Sequence, residues 1–353
     1  MPRIAKGGGH CGVDAAAGGR DDTGMQYRTI AQGKLQVSTV CLGCWAMVGD
    51  DTWGPQDKAD AIDTIRAAVD AGITFFDTAE GYGAGYSEQL IGEALGRRRD
   101  EVVIASKVSR SHLSAGDLAA ACERSLQNLG TAWLDVYYIH WPSRQVPLTE
   151  TVRAMEDLVA AGKVRHMAVS NFGRADLSEI LPLAAPAANQ LAYSLLFRAI
   201  ELEVLPACRA ADVAVTCYSP LMQGLLTGKF PTPEDVPEGR ARTRHFSGSR
   251  PQARHGQAGA EQETFAVVAG AAEVARQGGL DMAAMSLAWL LGREGVASVV
   301  VGARSPEQIR RNAAAAGLAL PRELAERLDE ISRPLREKLG ASADMWSAES
   351  RLR

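Results

Sequence analysis

The chain lacks any uninterrupted apolar run near the ~20 residues that a membrane-spanning helix needs. Its N-terminus also lacks the apolar core of a secretory signal. Charge of one sign is missing as well. A formal net charge of −4 over 353 residues gives neither a basic surface for nucleic acid nor an acidic block typical of a solvated tail. Cysteine is sparse: six, at positions 11, 41, 44, 122, 208 and 217. Most sit inside apolar strand or helix patterns, which predicts reduced thiols in a cytoplasmic protein rather than a disulfide framework. Cys41 and Cys44 match C-x-x-C, but no thioredoxin-type context and no second ligand pair accompany them. Neither a redox motif nor a metal site is expected there, and Cys41 reads as a small packing hydrophobe. Also absent is a G-x-G-x-x-G turn after the first strand, which an open doubly wound sheet would usually carry.

What is present reads as a globular α/β chain. Hydrophobic residues make up 46% and charged residues 23%, an ordinary balance for such a protein. The length suits two average domains or one α/β barrel with insertions. Strand-like runs lie near 39–43, 73–76, 102–106, 134–139, 165–170, 187–191, 213–217 and 298–301. Amphipathic segments separate them; in one, Ala61, Ile62, Ile65 and Ala68 or Val69 share a helical face before Gly72 closes it. Eight parallel strands alternating with helices predict a closed (β/α)8 TIM barrel. Residues 1–24 are Gly- and Ala-rich without periodicity, and read as a disordered leader or as a start placed too far upstream, with Met25 the true one. Residues 25–335 form the barrel, opening on a hairpin and ending in an extra helix expected to break near Pro334. Residues 336–353 form a tail. Two stretches escape the alternation: the long polar segment 224–261, expected to be functional or disordered, and that tail, whose Trp346 is expected to fold back over the active site.

Three of the strand-like runs end in groups of one chemical set. FFDTAEGYG, VVIASKV and DVYYIHW supply Asp77, Tyr82, Lys107 and His140. In a parallel barrel the C-terminal strand ends converge on one face, so residues distant in sequence meet there. A tyrosine phenol ordinarily titrates near ~10, too high for efficient proton exchange at neutral pH. A nearby ammonium favours the phenolate and lowers that value, and a carboxylate keeps the ammonium charged in a partly buried site. Tyr82, Lys107 and Asp77 suit those three roles, and the His140 imidazole suits orienting and polarising a carbonyl oxygen. Singly, each residue has a plainer reading: Asp77 as a turn cap, Lys107 as a solvated strand end, His140 as a core histidine, Tyr82 as packing. Tyr86 is a rival acid, though the E-G-Y-G context favours Tyr82. Joint occurrence at three successive strand ends is what points to chemistry.

This set, in its local wording, resembles the catalytic tetrad of the aldo-keto reductases over roughly Tyr27 to Leu335. The resemblance implies NADPH-dependent, reversible reduction of an aldehyde or ketone, with Tyr82 as general acid and His140 as orienting donor. It also implies NADP(H) as cofactor, with NAD(H) not excluded, and a small carbonyl or alcohol as the other partner, with no nucleic acid or membrane. Ser170, Asn171 and Gln190 match residues that hold the nicotinamide carboxamide, and Tyr218 matches one that stacks on the ring. Gly43, Cys44 and Trp45 lie at the first strand end beside the cofactor. Ser219, Pro220, Leu221, Gln223 and Gly224 would follow the pyrophosphate, and Gly302, Arg304, Gln308 and Asn312 the adenosine end. Arg311 departs from the family's usual acidic residue, and Gly302 stands where some members carry lysine. The substrate pocket is expected from Trp45, Met47, Trp53, Trp141 and Arg144. Two other functions fit parts of the pattern. Some relatives are nucleotide-binding regulatory subunits with slow or no turnover, and Schiff-base aldolases also carry a strand-end lysine.

Overall fold

The computed structural model describes residues 23–353, so the reading of residues 1–24 as a leader falls, in all but its last two positions, outside the described residues. A hairpin comes first, β1 (Tyr27–Ile30) paired antiparallel with β2 (Leu35–Ser38). Its turn places Ala31, Gln32 and Gly33 in the left-handed region. Ile30, Ala31 and Val37 pack in one cluster with Cys41, Phe75, Ala105, Val136 and Ala188. The hairpin therefore plugs the N-terminal end of the barrel.

Eight parallel strands then close on themselves: β3 (Val40–Gly43), β4 (Phe75–Asp77), β5 (Val103–Val108), β6 (Leu134–Ile139), β7 (Val164–Ser170), β8 (Ala188–Ala192), β9 (Ala214–Tyr218) and β10 (Val296–Gly302). Strand β10 pairs with both β9 and β3, which completes the ring. Around it run α1 (Lys58–Asp70), α2 (Tyr86–Leu95), α3 (Ala115–Leu129), α4 (Leu148–Ala160), α5 (Arg174–Ile180) and α6 (Val204–Ala210). They are followed by α7 (Glu261–Gly278), α8 (Met282–Leu291), α9 (Pro306–Ala314) and α10 (Arg322–Leu339). The helix starts are built locally. Asp57 accepts from the amides of Ala59 and Asp60, Ser114 from Asp117, and Ser305 from Gln308, each satisfying donors that a first turn leaves unpaired. Among the described residues no helix is long and apolar enough to cross a membrane.

Strand parity determines what reaches the mouth. Phe75, Ala105, Tyr138, Ala168 and Ala188 lie in the interior cluster, while their neighbours Phe76, Ile104, Tyr137, Ile139 and Val169 face the helices. Because side chains alternate with period two, positions two further on keep the inward side. Those positions are Asp77, Lys107, His140, Ser170 and Gln190. The polar residues thus form the layer above the apolar plug.

One expectation about the periphery is corrected. Helix α10 does not break at Pro334 but runs through it to Leu339. Leu328, Ser332, Leu335 and Leu339 are buried on one face, and Ile331 packs close to Gly270 of α7. The carbonyl that the proline leaves without a donor belongs to Glu330, an exposed residue. The 224–261 segment is a structured loop tied to the tail. Arg244 donates to the carbonyls of Leu339, at 2.7 Å, Ser342 and Asp344, and to Gln257 Oε1. Buried His245 reaches Leu196 O at 2.8 Å and Thr243 Oγ1 at 3.0 Å.

Candidate active site

Asp77, Lys107 and Tyr82 meet at the C-terminal mouth. Lys107 is fully buried, and its ammonium donates to Asp77 Oδ1 at 2.5 Å, to Thr78 O at 2.8 Å and to Tyr82 Oη at 3.4 Å. Three donors meet three acceptors, which is how a buried ammonium avoids the cost of isolation. Desolvation works against its charge, but Asp77 and Tyr82 outweigh that effect and raise the Lys107 pKa. Gln190 Nε2 holds the other Asp77 oxygen at 2.7 Å. Tyr82 lies under the Trp45 ring, stacked at 5.8 Å, and meets His140 edge-on at 6.0 Å.

The electrostatics refine the expectation for Tyr82. Burial pushes the phenol pKa above its ordinary value, and the neighbouring Lys107 offsets only part of that shift. The hydroxyl therefore carries its proton throughout the neutral range. Burial, reinforced by Lys107, holds His140 down to about 3. Its imidazole is neutral, so it can offer a hydrogen bond without giving up a proton.

These groups face one cleft of about 960 Å³, near the upper end of the roughly 300–1,000 Å³ usual for small-molecule and cofactor sites. The cleft brings together Asp77, Tyr82 and His140 with Trp45, Trp53 and Trp141, and with every expected cofactor-binding position but one. The exception is Cys44, whose thiol is buried beneath the mouth with Leu42 O 3.6 Å away. Cys41 and Cys44 are both free, and burial pushes both thiols up. Two pocket expectations also fail. Met47 is buried in the core below, and Arg144 lies outside the cleft, paired with Asp176 and Glu179. Asp176 also holds the backbone amides of Gly173, at 3.1 Å, and Arg353, at 2.8 Å. Arg144 thus belongs to the anchorage of the tail end.

Several expected cofactor contacts are engaged within the protein. Asn171, at a left-handed φ of 61°, accepts from Tyr218 Oη at 2.9 Å and donates to His140 O at 3.0 Å. Ser170 Oγ donates to Gln190 O at 3.0 Å. After β9 the backbone of Met222, Gln223 and Gly224 is left-handed three residues running. That conformation costs non-glycine residues energy and concentrates at binding sites. Both amide atoms of Gln223 are buried without a partner there. At the far end Arg304 is bound by Gln56 Oε1 and Trp53 O, each at 2.7 Å, and by Pro55 O. Arg311 pairs with Asp281 at 2.8 Å.

Sequence reasoning missed the basic residues of the 224–261 loop. Lys229 and Arg240 line the cleft beside Arg304. Burial lowers the pKa of both, and Arg304 lowers each further by repulsion. Cations crowded together without an anion, beside an unpartnered amide, fit a phosphate-bearing ligand. No sequence signal pointed to it: GKFPTPEDVPEGRAR carries three basic and three acidic residues. The tail also reaches the cleft through Trp346, Ser347 and Arg351, and Arg351 stacks 3.7 Å over Trp141.

Residues 39–333 match the Aldo/keto reductase family. The aldo-keto reductase YhdN of Bacillus subtilis (strain 168) is 37% identical over 216 residues, which span 58% of this chain and 65% of that protein. The NADH-specific methylglyoxal reductase of Escherichia coli (strain K12) is 32% identical over 329 residues, 84% of this chain and 97% of that one. Among solved structures, the aldo-keto reductase from Klebsiella pneumoniae in complex with NADPH aligns with a TM-score of 0.69 at 30% identity, over 87% of this chain and 96% of that one. With its barrel closed and most of its length inside the family match, this chain belongs to the aldo/keto reductase family.

Proposed function

We propose that this protein reduces an aldehyde or ketone reversibly with NADPH, Tyr82 giving the proton. One observation carries the reading. A buried ammonium, neutralised by Asp77, lies 3.4 Å from the hydroxyl of a tyrosine that opens onto the cleft. The reduced nicotinamide supplies the hydride when bound. The chain's own residues do the rest. Tyr82 holds a proton above the carbonyl oxygen, and Lys107 stabilises the phenolate left behind. The neutral imidazole of His140 donates a second hydrogen bond to the same oxygen, drawing charge toward it. Ser170, Asn171, Gln190 and Tyr218 would hold the nicotinamide end. Gly43 and Trp45, with the turn of Ser219, Pro220, Leu221, Gln223 and Gly224, would follow the centre of the dinucleotide. Arg304, Gln308, Asn312 and the backbone at Gly302 would hold the adenosine end.

The basic group of Lys229, Arg240 and Arg304 favours the phosphorylated dinucleotide, because the additional phosphate gives these charges a partner. The NADH specificity of one relative keeps NADH as a second donor to be tested beside it. The engagement of all three Lys107 hydrogens, together with its raised pKa, leaves no free amine and counts against Schiff-base chemistry.

The test is oxidation of NADPH and of NADH with a panel of aldehydes, ketones and sugars, in wild type and Tyr82→Phe. The substitution is expected to lower kcat on the order of 10²- to 10⁴-fold, the range for loss of a general acid, while NADPH binding by fluorescence persists. Tight NADPH binding with no turnover of any carbonyl would instead establish the regulatory nucleotide-binding role.

A further inference from the structure

Of the five arginines of the 224–261 loop, three are held by acceptors, while exposed Arg254 and half-buried Arg242, both lining the cleft, are not. Arg244 is taken up by the tail carbonyls. Arg250 pairs with Glu238 and Glu261. Arg240 donates to Thr52 O and Trp53 O and covers the Trp53 ring. Arg242 has no such partners. Its guanidinium lies between two indoles, 5.3 Å from Trp45 and 5.1 Å from Trp346, and its Nε is buried with no hydrogen-bond partner.

The carboxylate that favours its charge is Asp50. Asp50 is already held by Trp45 Nε1 at 3.0 Å and by the amides of Thr52 and Trp53, and it forms no ion pair with Arg242. Burial and the exposed neighbour Arg254 both work against the Arg242 charge. Aromatic faces favour a cation but leave its N–H groups unsatisfied. A group in this state is completed by an acceptor that arrives from the cleft.

The position determines what arrives. Trp45 stacks on Tyr82 with its other contacts reaching Arg242, so one indole separates the proton donor from the free guanidinium. A molecule whose carbonyl sits at Tyr82 and His140 extends along that indole toward Arg242. We propose that Arg242 is a specificity-determining residue that receives an anionic group, a carboxylate or phosphomonoester, set a flat spacer away from the carbonyl being reduced. This rests on carbonyl reduction at Tyr82. It names the substrate class as anionic aldehydes and ketones, with Trp45 and Trp346 as walls for the spacer.

The test uses the full-length enzyme with NADPH and three matched aldehydes: para-carboxybenzaldehyde, its methyl ester and para-formylphenyl phosphate. Wild type is expected to prefer at least one anion over the ester by about tenfold or more in kcat/KM. Preference for only the carboxylate or only the phosphate identifies which source the site takes. In Arg242→Gln that preference should shrink on the order of 10- to 100-fold, the scale of a charge-assisted hydrogen bond, chiefly through KM. Arg242→Lys, which keeps the charge but not the planar fork, should fall between. Equal use of ester and anions by wild type overturns the proposal, as does a preference that survives in Arg242→Gln. A weakened NADPH affinity with the preference intact assigns the residue to the cofactor and overturns it too. Should none of the aldehydes turn over, the reaction reading fails and the anion site is judged separately. Benzoate, but not benzamide, should then quench tryptophan fluorescence of the NADP-loaded wild type and not of Arg242→Gln. Absence of that quenching overturns the site.

Discussion

Replacing Lys107 with methionine separates the two tasks that the buried ammonium performs. Lys107 is fully buried and Asp77 is 2% exposed, so removing one charge leaves the other without compensation. Loss of one partner of a buried pair costs roughly 3–5 kcal/mol of stability. The same change removes a positive charge 3.4 Å from the Tyr82 hydroxyl. At an effective dielectric of ~20 that charge favours a phenolate by about 5 kcal/mol, with the carboxylate behind it cancelling a share. A net rise of about 3–4 kcal/mol in the barrier corresponds to a 10²- to 10³-fold fall in kcat. Single-turnover reduction with preloaded NADPH reads the rate, and thermal unfolding reads the stability. The double variant Asp77→Asn with Lys107→Met removes both charges, so it should regain stability while remaining slow. Lys107→Met with wild-type kcat and an unaltered pH profile would refute the coupling of lysine to tyrosine.

Four other outcomes follow from the same geometry. His140 stays neutral down to about pH 3, so kcat for reduction should show no limb near pH 6–7 assignable to it. A limb there that vanishes in His140→Gln would contradict the neutral-donor role. Burial lowers the His245 pKa to about 4, with Arg244 and His255 adding to the effect. The unfolded chain therefore takes up the proton first: stability is full above the ordinary histidine value and is lost as pH falls toward 4, by about 1.4 kcal/mol per pH unit. His245→Asn should flatten that slope by one proton in urea melts at stepped pH, and an unchanged slope would rule the histidine out. Truncation after Leu339 removes buried Met345 and Leu352, two carbonyl acceptors of Arg244, and Trp346 from the cleft. It should lower both Tm and kcat/KM, and unchanged kcat/KM on the best substrate would leave the tail no part in the pocket. Arg304→Gln should raise KM for NADPH about 10- to 100-fold more than for NADH, and equal effects on the two would detach Arg304 from the additional phosphate.

Much of the barrel was legible because its signals are local. Apolar runs separated by helical periods require nothing beyond the chain's own neighbours, and all eight were found within a few residues of their observed bounds. Asp77, Lys107 and His140 stood out because each ends a run whose inward parity is readable from residues two positions earlier. What failed shares a different cause. Pro334 is a helix breaker by local rules, yet the buried positions Leu328, Ser332, Leu335 and Leu339, with Ile331 against α7, hold the helix through it. Arg144 and Met47 sit near expected pocket residues in sequence, but Asp176 turns one away and the core takes the other. Basic residues of the long loop carried no periodic signal, since that loop is ordered by Arg244 gripping a tail almost a hundred residues further on.

The sequence by itself determined the number and direction of the strands, the inward parity of their last residues, and so the chemical set that meets at one face. Periodicity and parity are properties of the backbone and survive without any knowledge of distant contacts. Tertiary structure alone decided how those groups are charged and which cations remain free. Whether Tyr82 keeps its proton depends on burial set against a lysine from another strand. Whether Arg242 lacks a partner depends on indoles brought in from the loop after β3 and from the tail. Both are sums over neighbours that only the folded chain assembles, because desolvation and Coulomb energies follow distance in space and not along the sequence.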